Sequence, residues 1–450
     1  MAGPYYTRST TGANANSGLS WTLAELDLGG SGGAAADAAA GEIIWVSQAH
    51  AESTTGVVVI TLAGTAQNPV KVLCGNDATE PPNALATGAT VTATSNITLN
   101  GPGYYYGMTF RPGSGGSVTQ SFLSGNTGAN NTQVLEECSI QLLTTGTGLA
   151  KIGIGDDGRA DSNTYIYKGT TFKIGGVNHR VKVSGNYFHR GGSFVSGTAI
   201  PLNVYESGLR GIGEWLVTGF DFSVNIGSAF NLIIQNVGGH CFTARFHSIK
   251  LPAAWSGRPW SAKPLAQGIR AEIWDSLIGT TRLRAWVEEF AGDSRDDVTV
   301  YRTGGFVDDV DSVNFSIKMI TSANSAYPTV GHKGVPVNFT VSASGSPITK
   351  YVEVVHDSQG SGAGGALTDG DMILELAGPS GFTTNVKASF IATATSHATS
   401  TETWVGTGGM SAPVKQRLAI TFTPPRKGGY TLTPVLYIAS KTVYYCMKAT

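Results

Sequence analysis

Apolar positions along this chain come in short runs that alternate with polar ones, and the runs are punctuated by Gly, Asn and Ser. The segments Val57 to Leu62, Val70 to Cys74, Ala89 to Ala93 and Ile97 to Leu99 follow one another too closely for helical crossovers between them. They predict strands. One stretch has a helical pattern. Thr22 and Glu25 have capping-box spacing, Leu23, Leu26 and Leu28 are apolar, and an Ala-rich run from Ala34 to Ala40 stops at Gly41. After Gly41 comes Glu42-Ile-Ile-Trp-Val46, too short and too β-branched for a buried helix, so the pattern predicts a helix feeding a first strand.

A weak repeat runs through the next two hundred or so residues: an apolar strand, a small or turn residue, and an aromatic or aliphatic residue that closes the unit. It reads Tyr105 to Phe110, Leu135 to Ile140, Tyr167 to Phe172, Val183 to Phe188, Val217 to Phe222 and Arg245 to Ile249. The closing residues predict an inward ladder of Phe110, Ile140, Phe172, Phe188, Phe222 and Ile249, with one short coil between Phe172 and Phe188. A unit of about thirty residues cannot bury its own apolar face and must stack on its neighbours. Leucine is too scarce for leucine-rich repeats, helices are too few for TPR or ankyrin arrays, and propeller blades need about forty residues. A β-solenoid remains, over roughly residues 42 to 325.

The order of an Ala-rich helix, then Gly41-Glu42-Ile-Ile-Trp-Val46, then Gly64-Thr-Ala-Gln-Asn68-Pro69-Val-Lys-Val72, resembles the opening of right-handed parallel β-helix proteins of the pectate-lyase-like kind, including virion proteins of tailed bacteriophages. The resemblance covers roughly residues 20 to 330 and is one of architecture. It implies that the helix caps the bottom of the solenoid. Of chemistry it says almost nothing, because a fold hosts many activities.

Near Tyr327 to Gly334 the pattern changes to longer alternating strands, among them Val335 to Ser342, Lys350 to Val355, Thr383 to Ala394, Gln416 to Phe422 and Thr431 to Ile438. The expected organisation is therefore all-β. A polar N-terminal arm (1–20), ordered only by contact with something else, leads into a β-helix domain with an N-terminal capping helix (21–330). A C-terminal, jelly-roll-like β-sandwich (331–450) follows.

Composition sharpens this picture in three ways. Of 450 residues 60 are glycine, with no period of three, which excludes collagen, and 41% are hydrophobic, enough for a core. Only 14% are charged, with Lys and Arg at 30 against Asp and Glu at 31, so no basic footprint for nucleic acid exists. No secretory signal pattern and no apolar stretch of about 18 residues is present, so neither export nor a membrane partner is expected. Cys74, Cys138, Cys241 and Cys446 are far apart and read as buried free thiols, consistent with assembly in a reducing cytoplasm.

Candidate chemistry is sparse. Polysaccharide cleavage on a β-helix needs converging carboxylates. Glu136, Glu137, Asp156, Asp157, Asp161, Glu206, Glu214, Asp221 and Asp275 are the candidates, and the sequence places no two on one line. The loop Asp156 to Asn163 could hold calcium but lacks EF-hand or β-roll spacing, and Asx turns account for it equally. His240 adjoins Cys241 without a metal-ligand set, so no catalytic residue, cofactor or metal is assigned. The most binding-like group is Trp255-Ser-Gly-Arg258-Pro-Trp260, suited to stacking on sugar, docking a protein or covering the solenoid. Tyr444 and Tyr445 form a second possible contact.

These readings leave three function classes. The resemblance implies a structural protein on the surface of a tailed-phage virion, as capsid decoration or as a fibre or spike. Such a protein would be a homotrimer bound to other virion proteins, with a host surface glycan as a possible ligand. A tailspike-type polysaccharide depolymerase shares the architecture and is the alternative; a secreted adhesin or lyase would need an export signal.

Overall fold

The computed structural model describes residues 3–30, 32–113, 121–125, 130–143, 150–155, 162–196, 203–207, 213–224, 227, 230–235, 242–253, 255, 269–290, 299–304, 315–320, 332–333, 337–357, 372–379, 383–387, 395–396, 413–436 and 442–448. By internal contacts the chain divides into two compact units. One is Met1–Ala266 with Ser276–Thr280, and the other is Gln267–Asp275 with Thr281–Thr450. The change of unit thus comes earlier than the composition shift near residue 330, because the long strands Ile269–Ile278 and Thr281–Phe290 already precede that shift.

The first unit is a parallel β-helix. Each coil lays one strand in each of three parallel sheets. The first sheet stacks Tyr5–Thr7, Ile43–Ser47, Val70–Gly75, Gly103–Tyr106, Thr132–Glu136, Thr164–Lys168, Asn186–Arg190, Gly213–Thr218 and Phe242–His247. The second sheet runs from Ala51–Thr54 to Phe194–Ser196, and the third from Val58–Thr61 to Asn231–Gln235. Alternation then decides which residues face in, and strict register turns them into ladders. Ile44, Val72, Tyr105, Leu135, Tyr167, His189, Val217 and Phe246 are in register and buried on the first sheet.

Counting the bridge residues Ser193 and Asp221 with the second sheet, the corner from the first sheet to the second is two residues long in six successive coils, and its first residue is left-handed each time: Gly107, Glu137, Gly169, Gly191, Gly219 and Ser248, with φ between 51 and 71. That conformation is strained for residues with a Cβ, which explains the four glycines. Five of these residues donate their backbone N–H to the coil above, as in Gly169 to the Arg190 carbonyl at 2.8 Å, so the parallel ladder continues through the bend.

Three residues past each corner stands the inward ladder of the second sheet: Phe110, Ile140, Phe172, Phe194, Phe222 and Leu251. Phe110, Ile140, Phe172 and Phe222 are where the repeat put them. Phe188 is not: it lies on the outer face of the first sheet, in register with Ile166 and Leu216, while Tyr187 and His189 face in. Ile249 is buried but belongs to the corner, one residue after Ser248.

The base of the solenoid is closed by residues 3–30, and the expected free arm is instead part of the fold. Tyr5–Thr7 pairs in parallel with Ile44 to Val46, and Tyr5, Tyr6 and Thr7 are buried. Trp21 stacks edge-on against Tyr6 at 4.8 Å. Below the second sheet, inward-facing Glu52 accepts the Leu28 N–H at 2.9 Å, and His50 accepts the Ser9 N–H at 3.1 Å, so the cap's loops are tied to the bottom coil. The helix is only Ala34–Asp37; the run Gly29, Gly30, Gly32, Gly33 before it costs too much backbone entropy to extend it, and Glu25 is taken up in a bridge to Thr7.

The second unit is antiparallel. One sheet joins Thr281–Phe290, Thr299–Gly304, Phe315–Ile320, Thr442–Lys448, Ile348–Asp357 and Pro413–Phe422. The other joins Val337–Val341, Gly428–Leu436, Met372–Ala377 and Thr383–Lys387. Phe422 of the first meets Phe339 and Tyr430 of the second at 6.2 and 5.5 Å, the aromatic contact of a β-sandwich.

Candidate functional site: the outer face of the first sheet

Register places two outward columns side by side on the first sheet. One carries Lys71, Tyr104, Val134, Ile166, Phe188, Leu216 and Arg245, and the other Tyr106, Glu136, Lys168, Arg190, Thr218 and His247. At their lower end the Glu136 carboxylate gathers two groups on one oxygen. The Tyr104 hydroxyl donates to Oε2 at 3.1 Å, and Lys168 Nζ lies 3.0 Å from the same atom. Oε1 has no partner among the described residues. Burial first, and the neighbouring Glu136 charge second, push the Tyr104 phenol up to about 12, so it stays protonated and keeps donating. The Glu136 side chain is 29% exposed and that of Lys168 49%, so the group is open to a ligand. One coil above Lys168, exposed Arg190 has no ion pair among the described residues, and half-buried Phe188 is two residues away on the same face. The result is a surface strip with a free carboxylate oxygen, a free guanidinium and aromatic flanks.

A second ionic group lies on the outer face of the third sheet. Glu206 receives Lys151 Nζ at 2.7 Å, Arg180 Nε at 2.9 Å and Lys182 Nζ at 3.9 Å. The Lys151, Lys182 and Glu206 side chains are nearly closed to solvent. Burial lowers the Lys151 ammonium against the opposing pull of Glu206. A carboxylate clasped by three cations is a structural hub rather than an available acid or base.

The other carboxylates are dispersed. Glu214 pairs with Arg245, and Asp221 accepts from Ser223 and faces Lys250 at 3.7 Å. Glu137 occupies a left-handed corner, and Asp275 a left-handed position inside the strand Ile269–Ile278. Asp156, Asp157 and Asp161 lie outside the described residues. Glu136 and Glu214 share a sheet but stand three strands apart, roughly 14 Å at the usual strand spacing, against about 5–9.5 Å for the carboxyl pair of a glycosidase. No group of three metal-ligating side chains exists among the described residues.

Of the residues the sequence singled out, Trp255 is buried against Phe230, and its indole N–H donates to the Phe230 carbonyl at 2.9 Å. Arg258 and Trp260 lie outside the described residues. The backbone of Tyr444 and Tyr445 pairs on both sides, with Phe315–Ile320 and with Ile348–Asp357. Tyr104, Lys168 and Arg190 were missed. Only the thirty-two-residue offset from Glu136 to Lys168 could have signalled them, and it becomes a contact only once register is known.

Neither a family model nor any curated protein matches the chain. Among solved structures it is similar to the enzymatically active domain of tailspike protein 4 of bacteriophage CBA120, with 9% identity and a TM-score of 0.26, over 90% of this chain and 63% of that one. It is also similar to tailspike protein gp49 of the Acinetobacter baumannii bacteriophage Fri1, a capsular polysaccharide depolymerase, with 9% identity and a TM-score of 0.23, over 90% of this chain and 81% of that one. The chain therefore spans under two thirds of the first of these, and at this level of similarity no residue is carried across.

Proposed function

We propose that this protein is a tail-spike-type surface component of a bacteriophage virion, and that the outer face of its first sheet engages a host polysaccharide. The observation that carries the reading is the half-exposed Tyr104–Glu136–Lys168 group beside Arg190 and Phe188. A carboxylate oxygen and a guanidinium offer an acceptor and donors to sugar hydroxyls, and the aromatic flanks offer faces to sugar rings. The architecture implied by the opening segments supports the virion setting. Within it the solenoid would be one of three identical chains, since closed symmetry covers the sides of each, and other virion proteins would hold it.

A second reading is that the same face cleaves what it binds, as befits a capsular polysaccharide depolymerase such as the Fri1 protein. In this chain it would need a partner for Glu136 from residues outside those described, of which Asp156, Asp157 and Asp161 are the nearest in kind. One experiment addresses both. The full chain is titrated with capsular or cell-wall polysaccharides of candidate hosts, and the mixtures are assayed for new reducing ends or unsaturated products. Binding that falls about tenfold or more in both Glu136→Gln and Arg190→Gln supports the proposed face. Product formation abolished by Glu136→Gln selects the depolymerase reading. Binding indifferent to both substitutions sinks the assignment of this face.

A further inference from the structure

Glu25 has no role in the face described above, yet it is the least compensated charged side chain of the cap. It is completely buried, and neither Oε1 nor Oε2 has a hydrogen-bond partner. Its backbone locks the first rung: Glu25 N–H donates to the Tyr6 carbonyl at 2.9 Å, and its carbonyl accepts from Arg8 N–H at 2.8 Å. The carboxyl lies against Gly18, where a Cβ would come within 2.5 Å of Oε1 and 3.2 Å of the Tyr5 ring.

The charges around it are of the wrong sign to hold an anion. Among the described residues Asp37 of the short helix is the one ionic neighbour that acts on Glu25, and the Tyr5 phenol is pushed up by burial, Glu42, Asp37 and Glu25 in turn. The nearest cation along the chain, Arg8, is committed to Asp77 at 3.1 Å. His50, at the adjoining base of the second sheet, faces Glu52 at 3.4 Å. A buried, unpaired carboxylate is costly, whereas the neutral acid sheds most of that cost.

We infer that Glu25 makes the N-terminal rung a proton-operated clasp, closed over the base of the solenoid while its carboxyl is neutral and loosened when the carboxyl ionises. The direction follows from linkage. Burial, with Asp37 adding to it, raises the Glu25 carboxyl from 4.5 to about 7. An acid whose folded value lies above its unfolded one stabilises docking fully below the unfolded value, and that contribution is lost as pH rises through the folded value. The clasp is therefore tight in mild acid and loose in mild alkali. Opening it would unpair Ile43–Ser47 and uncover an apolar parallel edge.

Hydrogen exchange read by mass spectrometry on the full chain tests this, with rates corrected for intrinsic pH dependence and strands Thr132–Glu136 and Thr164–Lys168 as internal reference. Peptides covering residues 3–30 should lose about tenfold in protection between pH 6 and pH 8.5 while the reference strands do not. Glu25→Gln should remove that pH dependence. Asp37→Asn, an exposed change that leaves the fold alone, should move the opening midpoint to lower pH, because it withdraws the charge that favours the neutral acid. Unchanged protection across the range, a Glu25→Gln variant as pH-sensitive as the parent, or an unmoved midpoint in Asp37→Asn would each overturn the inference.

Discussion

The Tyr187 hydroxyl and the Nδ1 atom of His189 lie 2.6 Å apart on one inward face of one strand, and Nε2 of the same ring lies 3.0 Å from the Thr170 carbonyl on the coil below. A carbonyl only accepts, so Nε2 carries the hydrogen and Nδ1 accepts from the phenol. Burial drives the imidazole down to about 3.

His189 should therefore stay in its neutral Nε2–H form from pH 8 down to about 4, as read by nitrogen chemical shifts. Its folded value lies below its unfolded one, so the stability it contributes is complete above about 6.5 and lost as pH falls through about 3. His189→Phe fills the space but orphans two buried polar groups, at about 1–3 kcal/mol each in urea unfolding. A His189 that titrates near 6 would show the ring to be solvated.

The corner column yields a paired expectation. Glu137→Gly and Ser248→Gly relieve left-handed strain at φ 51 and 54 and should each stabilise the solenoid by about 0.5–1 kcal/mol. Gly192→Ala should do the opposite and cost more than about 2 kcal/mol, because at φ 84 its Cβ would lie 2.1 Å from the Thr170 carbonyl oxygen. Thermal unfolding of the three variants measures both signs.

Glu206→Ala would leave Lys151, Arg180 and Lys182 facing one another with little solvent. A loss of about 3–5 kcal/mol is expected in denaturant unfolding, typical of a broken buried ion pair. A loss under about 1 kcal/mol would mean that the group is wetter than its burial indicates.

Deleting residues 1–30 removes the buried Tyr5, Tyr6 and Leu28, strips Ile43–Ser47 of its lower neighbour and takes from Glu52 and His50 the backbone N–H groups of Leu28 and Ser9. Lower melting temperature and concentration-dependent association by light scattering are expected, where a free arm would give neither.

How much of this the chain itself discloses depends on what kind of information carries it. The period, the parallel stacking and four of the six expected ladder positions follow from local pattern, because burial on one side of a strand enforces alternation. Phe188 misled because Asn186 to Arg190 holds Tyr, Phe and His in succession, so alternation is mute there; the reliable marker is the glycine after Lys168 and after Arg190, which fixes Phe194 as the partner of Phe172. Trp255 stayed open between ligand, partner and solenoid because a tryptophan's type does not say which way its ring turns. The Glu206 hub joins residues up to fifty-five positions apart, and the Glu136 group joins residues thirty-two apart. Both exist only through coil-to-coil register, which no local pattern states.

The two-residue corners recur unchanged while the connections on the other two sides of the coils differ widely in length, as from Pro112 to Phe122 against Ile174 to Arg180. A coil is thus a cassette with one fixed hinge and two free margins. Recombination or drift that exchanges those margins can redraw the outer surface while every rung stays on the one beneath it, so a chain of this design can change what it meets outside without renegotiating how it stands.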